Sequence, residues 1–392
     1  MEKNKTSTLI LFSLIQSEIC GKELDGKYLD DLSNETMEQL YKLSKAHDIA
    51  HIVSSALMKY DALGEGDISL KFQKQWRLSV YRYELLNFEL STVKELFEKN
   101  NIPFLPLKGA VLRELYPEPW MRTSCDIDIL VRSEDLERAA SALCSNGYTQ
   151  QTNTTTYDYQ LESPSGIHFE LHHSLKQDDS VLQEDAILEG VWEECSLVEN
   201  TACEYRMSNE MLLFYHLAHM ANHFTYGGCG VRPLIDLWLI INKVSIDEQK
   251  LKGMLEKAGL LNFYNESKNL CRMWLENVEG SQTTSQMEKF ILSGGAYGDF
   301  ENYATIQVAN GQGKGRTFFK IMFLPRAKLE VSYPNLKKHP WLMPFYQVKR
   351  WFRVFSPKKR RKVKETISAQ NTVSSVEAEQ TRALLSNLGL KK

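Results

Sequence analysis

Asp126 and Asp128 stand one residue apart in the stretch Arg122-Thr123-Ser124-Cys125-Asp126-Ile127-Asp128-Ile129-Leu130-Val131. The apolar run predicts a β-strand, and because side chains alternate across a strand, both carboxylates fall on one face. Residues i and i+2 of such a strand lie about 6.5–7 Å apart. Two acids at that spacing can converge on a hard divalent cation such as Mg²⁺, and they repel each other without a cation or proton. A third acid follows in Gly166-Ile167-His168-Phe169-Glu170-Leu171-His172-His173. Here His168, Glu170 and His172 share one face of a predicted strand, and Ile167, Phe169 and Leu171 the other. If the two strands are neighbours, Glu170 joins the acid pair. Three acids can hold two divalent ions about 3.5–4 Å apart, which suits an in-line displacement at phosphorus.

Lys108-Gly109-Ala110 supplies a candidate phosphate end. The triplet closes one predicted strand and opens a helix. Glycine lets the backbone approach a phosphate, and a helix start offers free N–H donors. Lys108 and Arg122 can add positive charge for a polyphosphate.

The elements that must position these residues follow from the hydrophobic pattern. Residues 1–100 read as helical. Leu9 to Ile15 reads as the start of a first helix rather than a signal peptide. Thr36 to Met58 has helical spacing through Met37, Leu40, Leu43, Ile49, Ile52 and Val53. Phe72 to Lys99 is a stronger helix, ended by Asn100-Asn101 and Pro103. Residues 101–200 then read as a mixed α/β core. Phe104 to Leu107 is a strand, Ala110 to Tyr116 a short helix and Asp126 to Val131 the acid strand. Residues 134–145 form a helix that Ser133 should cap, and Asn146-Gly147 should stop it. Tyr148 to Asn153, Tyr157 to Glu162 and Ile167 to His172 complete the sheet. A helical region, 201–310, follows. An aromatic and basic extension spans 311–365, and a flexible link with a weak terminal helix occupies 366–392. The fold class is therefore α+β: a mixed sheet with flanking helices between helical N- and C-terminal regions.

The order Leu107-Lys108-Gly109-Ala110, Arg122, Asp126-Ile127-Asp128, then Glu170-Leu171-His172 resembles the uncharacterised nucleotidyltransferase family of the polymerase-beta-like nucleotidyltransferase superfamily. The resemblance extends to Trp192, His219, His223, Arg232, Asp236, Tyr333-Pro334 and Leu342-Met343-Pro344, and so covers most of the chain. It implies Mg²⁺-dependent transfer of a nucleoside monophosphate from an NTP, with ATP the expected donor, and release of pyrophosphate. Asp126, Asp128 and Glu170 would hold one or two Mg²⁺ ions, and Glu170 would help position or deprotonate the acceptor. Lys108, Gly109, Ala110, Arg122 and Ser124 would serve the triphosphate. His172, His219, His223, Arg232 and Asp236 would line the substrate cleft. Ala110 departs from the Gly-Ser turn usual in the superfamily; Ser124 or Lys108 is expected to compensate.

Each feature has a plainer explanation. The acids can be solvated acids on an edge strand, Lys108 an ordinary strand-end lysine, and the histidines packing groups. Four residues apart, Arg232 and Asp236 would pair with each other on a helix. His216, His219 and His223 fall near one helical face but lack the Glu or Cys partners of a zinc site. The acceptor is left open among a small molecule, a sugar, a peptide and a protein. Two other functions stay open: a nucleotide-binding module without chemistry, and an adaptor whose basic tail, 349–365, touches nucleic acid or an anionic membrane.

Composition bounds these readings. A chain of 392 residues exceeds one compact core. Its formal net charge of -3 gives no general nucleic-acid signal. No apolar stretch reaches the 18–20 residues or so that a spanning helix needs. Seven scattered cysteines without a C-x-x-C fit reduced thiols in a cytoplasmic protein; Cys125, Cys144, Cys229 and Cys271 sit in apolar patterns.

Overall fold

The computed structural model describes residues 2–391 apart from 31, 152–157, 177–183, 297, 299, 312–318, 320, 321, 327, 328, 331, 332, 334 and 355–371. The helices α1 (Glu2–Ile19), α2 (Asn34–Ala46), α3 (Ala50–Lys59) and α4 (Asp67–Lys99) precede the sheet. The sheet region holds β1 (Phe104–Pro106), α5 (Gly109–Leu112), β2 (Asp126–Val131), α6 (Leu136–Ser145), β3 (Thr149–Gln150), β4 (Asp158–Glu162) and β5 (His168–His172). A hairpin, β6 (Cys195–Leu197) with β7 (Tyr205–Met207), crosses the expected boundary at residue 200. Six helices follow: α7 (Asn209–Thr225), α8 (Arg232–Lys243), α9 (Glu248–Ala258), α10 (Leu261–Glu276), α11 (Gln282–Gly294) and α12 (Phe300–Ala309). Last come α13 (Met343–Val354) and α14 (Ser375–Asn387). No helix of the described residues is long and apolar enough to cross a membrane.

The five-stranded sheet runs β1-β2-β5-β4-β3. Among the described strands of this sheet, β2 and β5 alone pair in parallel, and their register sets Asp126 opposite His168 and Asp128 opposite Glu170. Strand alternation splits the sheet between two apolar cores. Ile127, Ile129 and Val131 pack on the back with Leu86, Val93 and Phe97 of α4 and Ala139 and Leu143 of α6. The front carries Leu105, Leu107 and Leu130 into a larger core made by both the N-terminal helices and α7–α11. Asp126 and Asp128 belong to this front face, so the sheet turns its acids toward the helical layer rather than toward open solvent.

Several local expectations change. The helical pattern over 36–58 breaks between α2 and α3, where Asp48 takes a left-handed φ of 56°. Ser133 does not cap α6: it lies in a 3-10 turn, Ser133–Asp135, and its hydroxyl faces the His173 carbonyl at 3.5 Å. Cys203, Cys229 and Cys271 are buried, but Cys125 and Cys144 are exposed, because the strand entry and the outer face of α6 turn them outward. The ends of two expected strands (152, 153 and 157), most of the basic tail (355–365) and the start of the terminal link (366–371) lie outside the described residues.

α3 touches the sheet region through His51, whose Nε2–H donates to the Met121 carbonyl at 2.7 Å just before Arg122. Burial disfavours the charged ring and depresses its pKa from 6.5 to about 4. Between those values the unfolded chain binds the proton that the folded chain excludes. The His51 contribution is therefore complete above pH 6.5 and is lost as pH falls toward 4. His51→Gln keeps an N–H donor without the titration. Urea unfolding from pH 7 to pH 4 should show a shallower loss of stability in this variant, by up to about 3 kcal/mol at the acid end. Identical pH slopes would contradict the assignment.

Candidate active site

β2 and β5 bring three acids to one cleft, and α7 and α8 form its opposite wall. The cleft is lined by Lys108, Asp126, Asp128 and Glu170 on the sheet side, and by Tyr215, His216, His219, His223, Arg232 and Asp236 on the helical side. Gly109, Arg122 and Ser124 also line it. Of the site residues named from the sequence, all but Ala110 and His172 line this cleft, gathered from positions more than a hundred residues apart; Ala110 packs instead against the core behind the sheet.

Asp128 is the buried centre. Its Oδ1 accepts from Lys108 Nζ at 2.8 Å and from His172 Nε2 at 3.0 Å. Burial alone would raise the Asp128 pKa, but Lys108 and His172 more than offset it and hold the carboxyl well below its usual range. Conversely, burial opposes the Lys108 charge, and Asp128 outweighs it to hold the ammonium above its ordinary value. Burial also opposes a charged His172. Hydrogen bonds to Asp128 and Glu170 lift that ring to about 9, so it is an imidazolium at neutral pH. Asp126 behaves differently: burial and the neighbouring Asp128 charge raise its pKa.

The closest ligating group among the described residues is Asp128, Glu170 and His172, with one donor atom from each within 4.8 Å of the others. Asp126 shares the cleft without joining that group, and His172, read from sequence as a cleft residue only, stands inside it. The two carboxylates of this group fit a divalent cation in their chemistry, as hard oxygen donors; His172, as an imidazolium, is a counter-ion to them and not a ligand, and Lys108 adds a second positive charge.

The phosphate end differs from expectation in detail. Lys108 has φ 45° and ψ -115°, a conformation that favours glycine and strains a lysine. The next residue is glycine because there is no room for a side chain. A Cβ at Gly109 would meet Arg122 Nη1 at 2.9 Å and Ser124 Oγ at 3.1 Å. Gly109 thus serves close packing of the loop against the entry to β2. Ser124 Oγ is engaged by Arg113 at 3.3 Å and donates to the Asp126 carbonyl at 3.2 Å. It holds the acid strand, and offers no spare proton in place of the hydroxyl that Ala110 lacks. Arg113 also donates to the Gly109 carbonyl at 2.6 Å and was not singled out in the sequence.

The expected Arg232–Asp236 pair does not form. Asp236 instead accepts from Arg122, through Nε at 3.2 Å and Nη2 at 3.0 Å, and from the Tyr116 hydroxyl at 2.8 Å. Arg232 Nη1 turns the other way, to Asp48 at 2.9 Å and the Thr123 carbonyl at 3.1 Å. Each basic residue therefore ties a helical element to the segment preceding β2. Spacing within one helix could not reveal these partners, which lie 114 and 184 residues away. The left-handed Asp48 is the only sequence-silent member of the pair of bridges that has an acidic side chain.

His219 and His223 share one turn of α7, with their Nε2 atoms 3.0 Å apart. Burial and the nearby Lys108 charge lower both pKa values. As neutral rings, one Nε2 must donate and the other accept. His216 is occupied at the Pro233 carbonyl, 2.8 Å away.

The model of a family described as uncharacterised nucleotidyltransferase matches residues 33–276, which include both walls of this cleft. No curated protein matches the chain.

The Arg122–Asp236 bridge yields a direct test. Asp236→Ala would leave a buried guanidinium without its carboxylate, and urea unfolding should show a loss of about 3–5 kcal/mol. Adding Arg122→Leu should recover much of it, since the unpaired charge is then gone. A loss below about 1 kcal/mol for the single variant would mean the bridge is exposed and screened.

Proposed function

The chain belongs to the uncharacterised nucleotidyltransferase family, and from that premise we propose that it transfers a nucleoside monophosphate from an NTP, with ATP as the expected donor, to a hydroxyl or similar acceptor. Pyrophosphate leaves as the acceptor oxygen attacks the α-phosphorus in line. The observation that carries this reading is the parallel β2–β5 register, which sets Asp128 beside Glu170 on the cleft face.

In this reading Asp126, Asp128 and Glu170 hold Mg²⁺, which when bound supplies neutralisation of phosphate charge. Lys108, freed from Asp128, is placed to pair with the triphosphate, while Gly109 and Ser124 keep its loop against β2. Arg122 acts through position: its own charge is matched by Asp236. Glu170 is the group assigned to receive the acceptor proton, because it is the least buried acid of the close group. The neutral His219–His223 pair lines the opposite wall, and the ring nitrogens left over from its mutual hydrogen bond, one donor and one acceptor, would orient the acceptor hydroxyl. We place the protein in the cytoplasm, which its seven free thiols support.

A second reading rests on Ala110, whose methyl offers the phosphates no hydrogen bond: the cleft would bind nucleotide without transferring it. Calorimetry with MgATP, combined with pyrophosphate release in cell extract, separates the two. Binding without release across extracts and purified sugars, peptides and proteins favours the second.

Incubation with labelled NTPs and extract is the primary test. Asp128→Asn should lower label transfer by about 100-fold or more, with the far-ultraviolet spectrum retained. EDTA should abolish transfer, and added Mg²⁺ restore it. Full transfer by the folded variant would sink the assignment.

A further inference from the structure

Helix α13 has two faces of opposite fate. The inner face is anchored: Tyr346 stacks on Tyr333, Gln347 donates to the Leu324 carbonyl, and Trp351 Nε1 donates to the Met322 carbonyl at 2.7 Å. Leu342 and Met343 pack into a small core around Leu329 and Leu336. The outer face carries Phe345, Val348 and Phe352, which fall within about 60° of arc at 3.6 residues per turn. Trp341, from the preceding 3-10 turn Pro340–Leu342, continues the stripe one turn earlier. Trp341, Phe345 and Phe352 are 73%, 62% and 78% exposed, and Val348 is 43% exposed. Aromatic side chains of this size are costly to leave in water.

The segment of sequence that carries this stripe is one-sided in charge. Residues 331–364 contain eleven Lys and Arg and no Asp or Glu, although the chain as a whole is acidic by three charges. Lys338 and Lys349 are exposed in this segment, and the Lys349 ammonium lies 5.7 Å from the Tyr333 ring. An apolar aromatic stripe flanked by bases on a helix too short and too polar to span is the pattern of a helix lying in a membrane interface. A protein partner would need both an apolar groove and a strongly acidic rim. The cytoplasmic leaflet supplies apolar depth and negative headgroups over its whole area.

We propose that the outer face of α13 docks the protein onto anionic lipid surfaces, with Trp341, Phe345, Val348 and Phe352 entering the headgroup boundary and Lys338 and Lys349 pairing with acidic headgroups. This surface is independent of the transfer reaction.

Sedimentation of the full chain with vesicles tests it. The wild type should pellet with vesicles of equal parts phosphatidylcholine and phosphatidylglycerol, less so at high salt, and not with phosphatidylcholine alone. Trp341→Ser/Phe345→Ser/Phe352→Ser should weaken binding by about tenfold or more per side chain, with an unchanged melting temperature. Lys338→Glu/Lys349→Glu, which leaves the aromatics in place, should weaken binding about tenfold and reduce its salt dependence; it keeps the proposal testable if the aromatic variant misfolds. Equal binding to both vesicle types, no binding to either, or full binding by both variants would overturn the proposal. So would binding of single-stranded RNA that these substitutions abolish while vesicles are ignored, which would assign the face to nucleic acid.

Discussion

Acidic groups gathered on one sheet face repel each other, and taking a buried one such as Asp128 out of water costs several kcal/mol. Much of the cleft answers that cost at Asp128. Lys108 reaches it from the loop after β1, and His172 from β5, so a single carboxylate oxygen draws two cations from different parts of the chain. The parallel pairing of β2 with β5 is what makes this arrangement available. A slip of one residue in that pairing would turn Glu170 and His172 to the back of the sheet, into the core shared with α4 and α6.

The helical layer is fastened to this site by two further charged bridges. Arg122 with Asp236 and Tyr116, and Arg232 with Asp48 and Thr123, both converge on the segment immediately before the acid strand. Arg113 and Ser124 then hold that segment against the Lys108–Gly109 loop. The two walls of the cleft therefore do not rest on apolar packing alone. Hydrophobic burial brings the N- and C-terminal helices into one core, and the directional bridges fix how that core faces the sheet.

Much of this was legible in the sequence where the signal is local. Strand alternation placed Asp126, Asp128 and Glu170 on one face, and Pro103, Asn146 and Gly147 marked where helices end. Partners chosen across the fold were not legible. Arg232 and Asp236 looked like a helical pair because i and i+4 are neighbours on any helix. The structure gives each a stronger partner elsewhere, since a buried guanidinium seeks a carboxylate in the right plane rather than the nearest one in sequence. The break at Asp48 was hidden because the apolar residues on either side keep a helical period. His172 was undervalued because a histidine's charge depends on what surrounds it, which no single strand reveals.

The strained Lys108 is a built-in counter-ion. In the resting cleft its ammonium and the His172 imidazolium sit opposite three carboxylates, so the site holds a charge near neutrality rather than a deep negative well. The geometry of one residue thus leaves the buried acid already partnered within the chain, so the cleft stands internally compensated instead of waiting on a charge from outside.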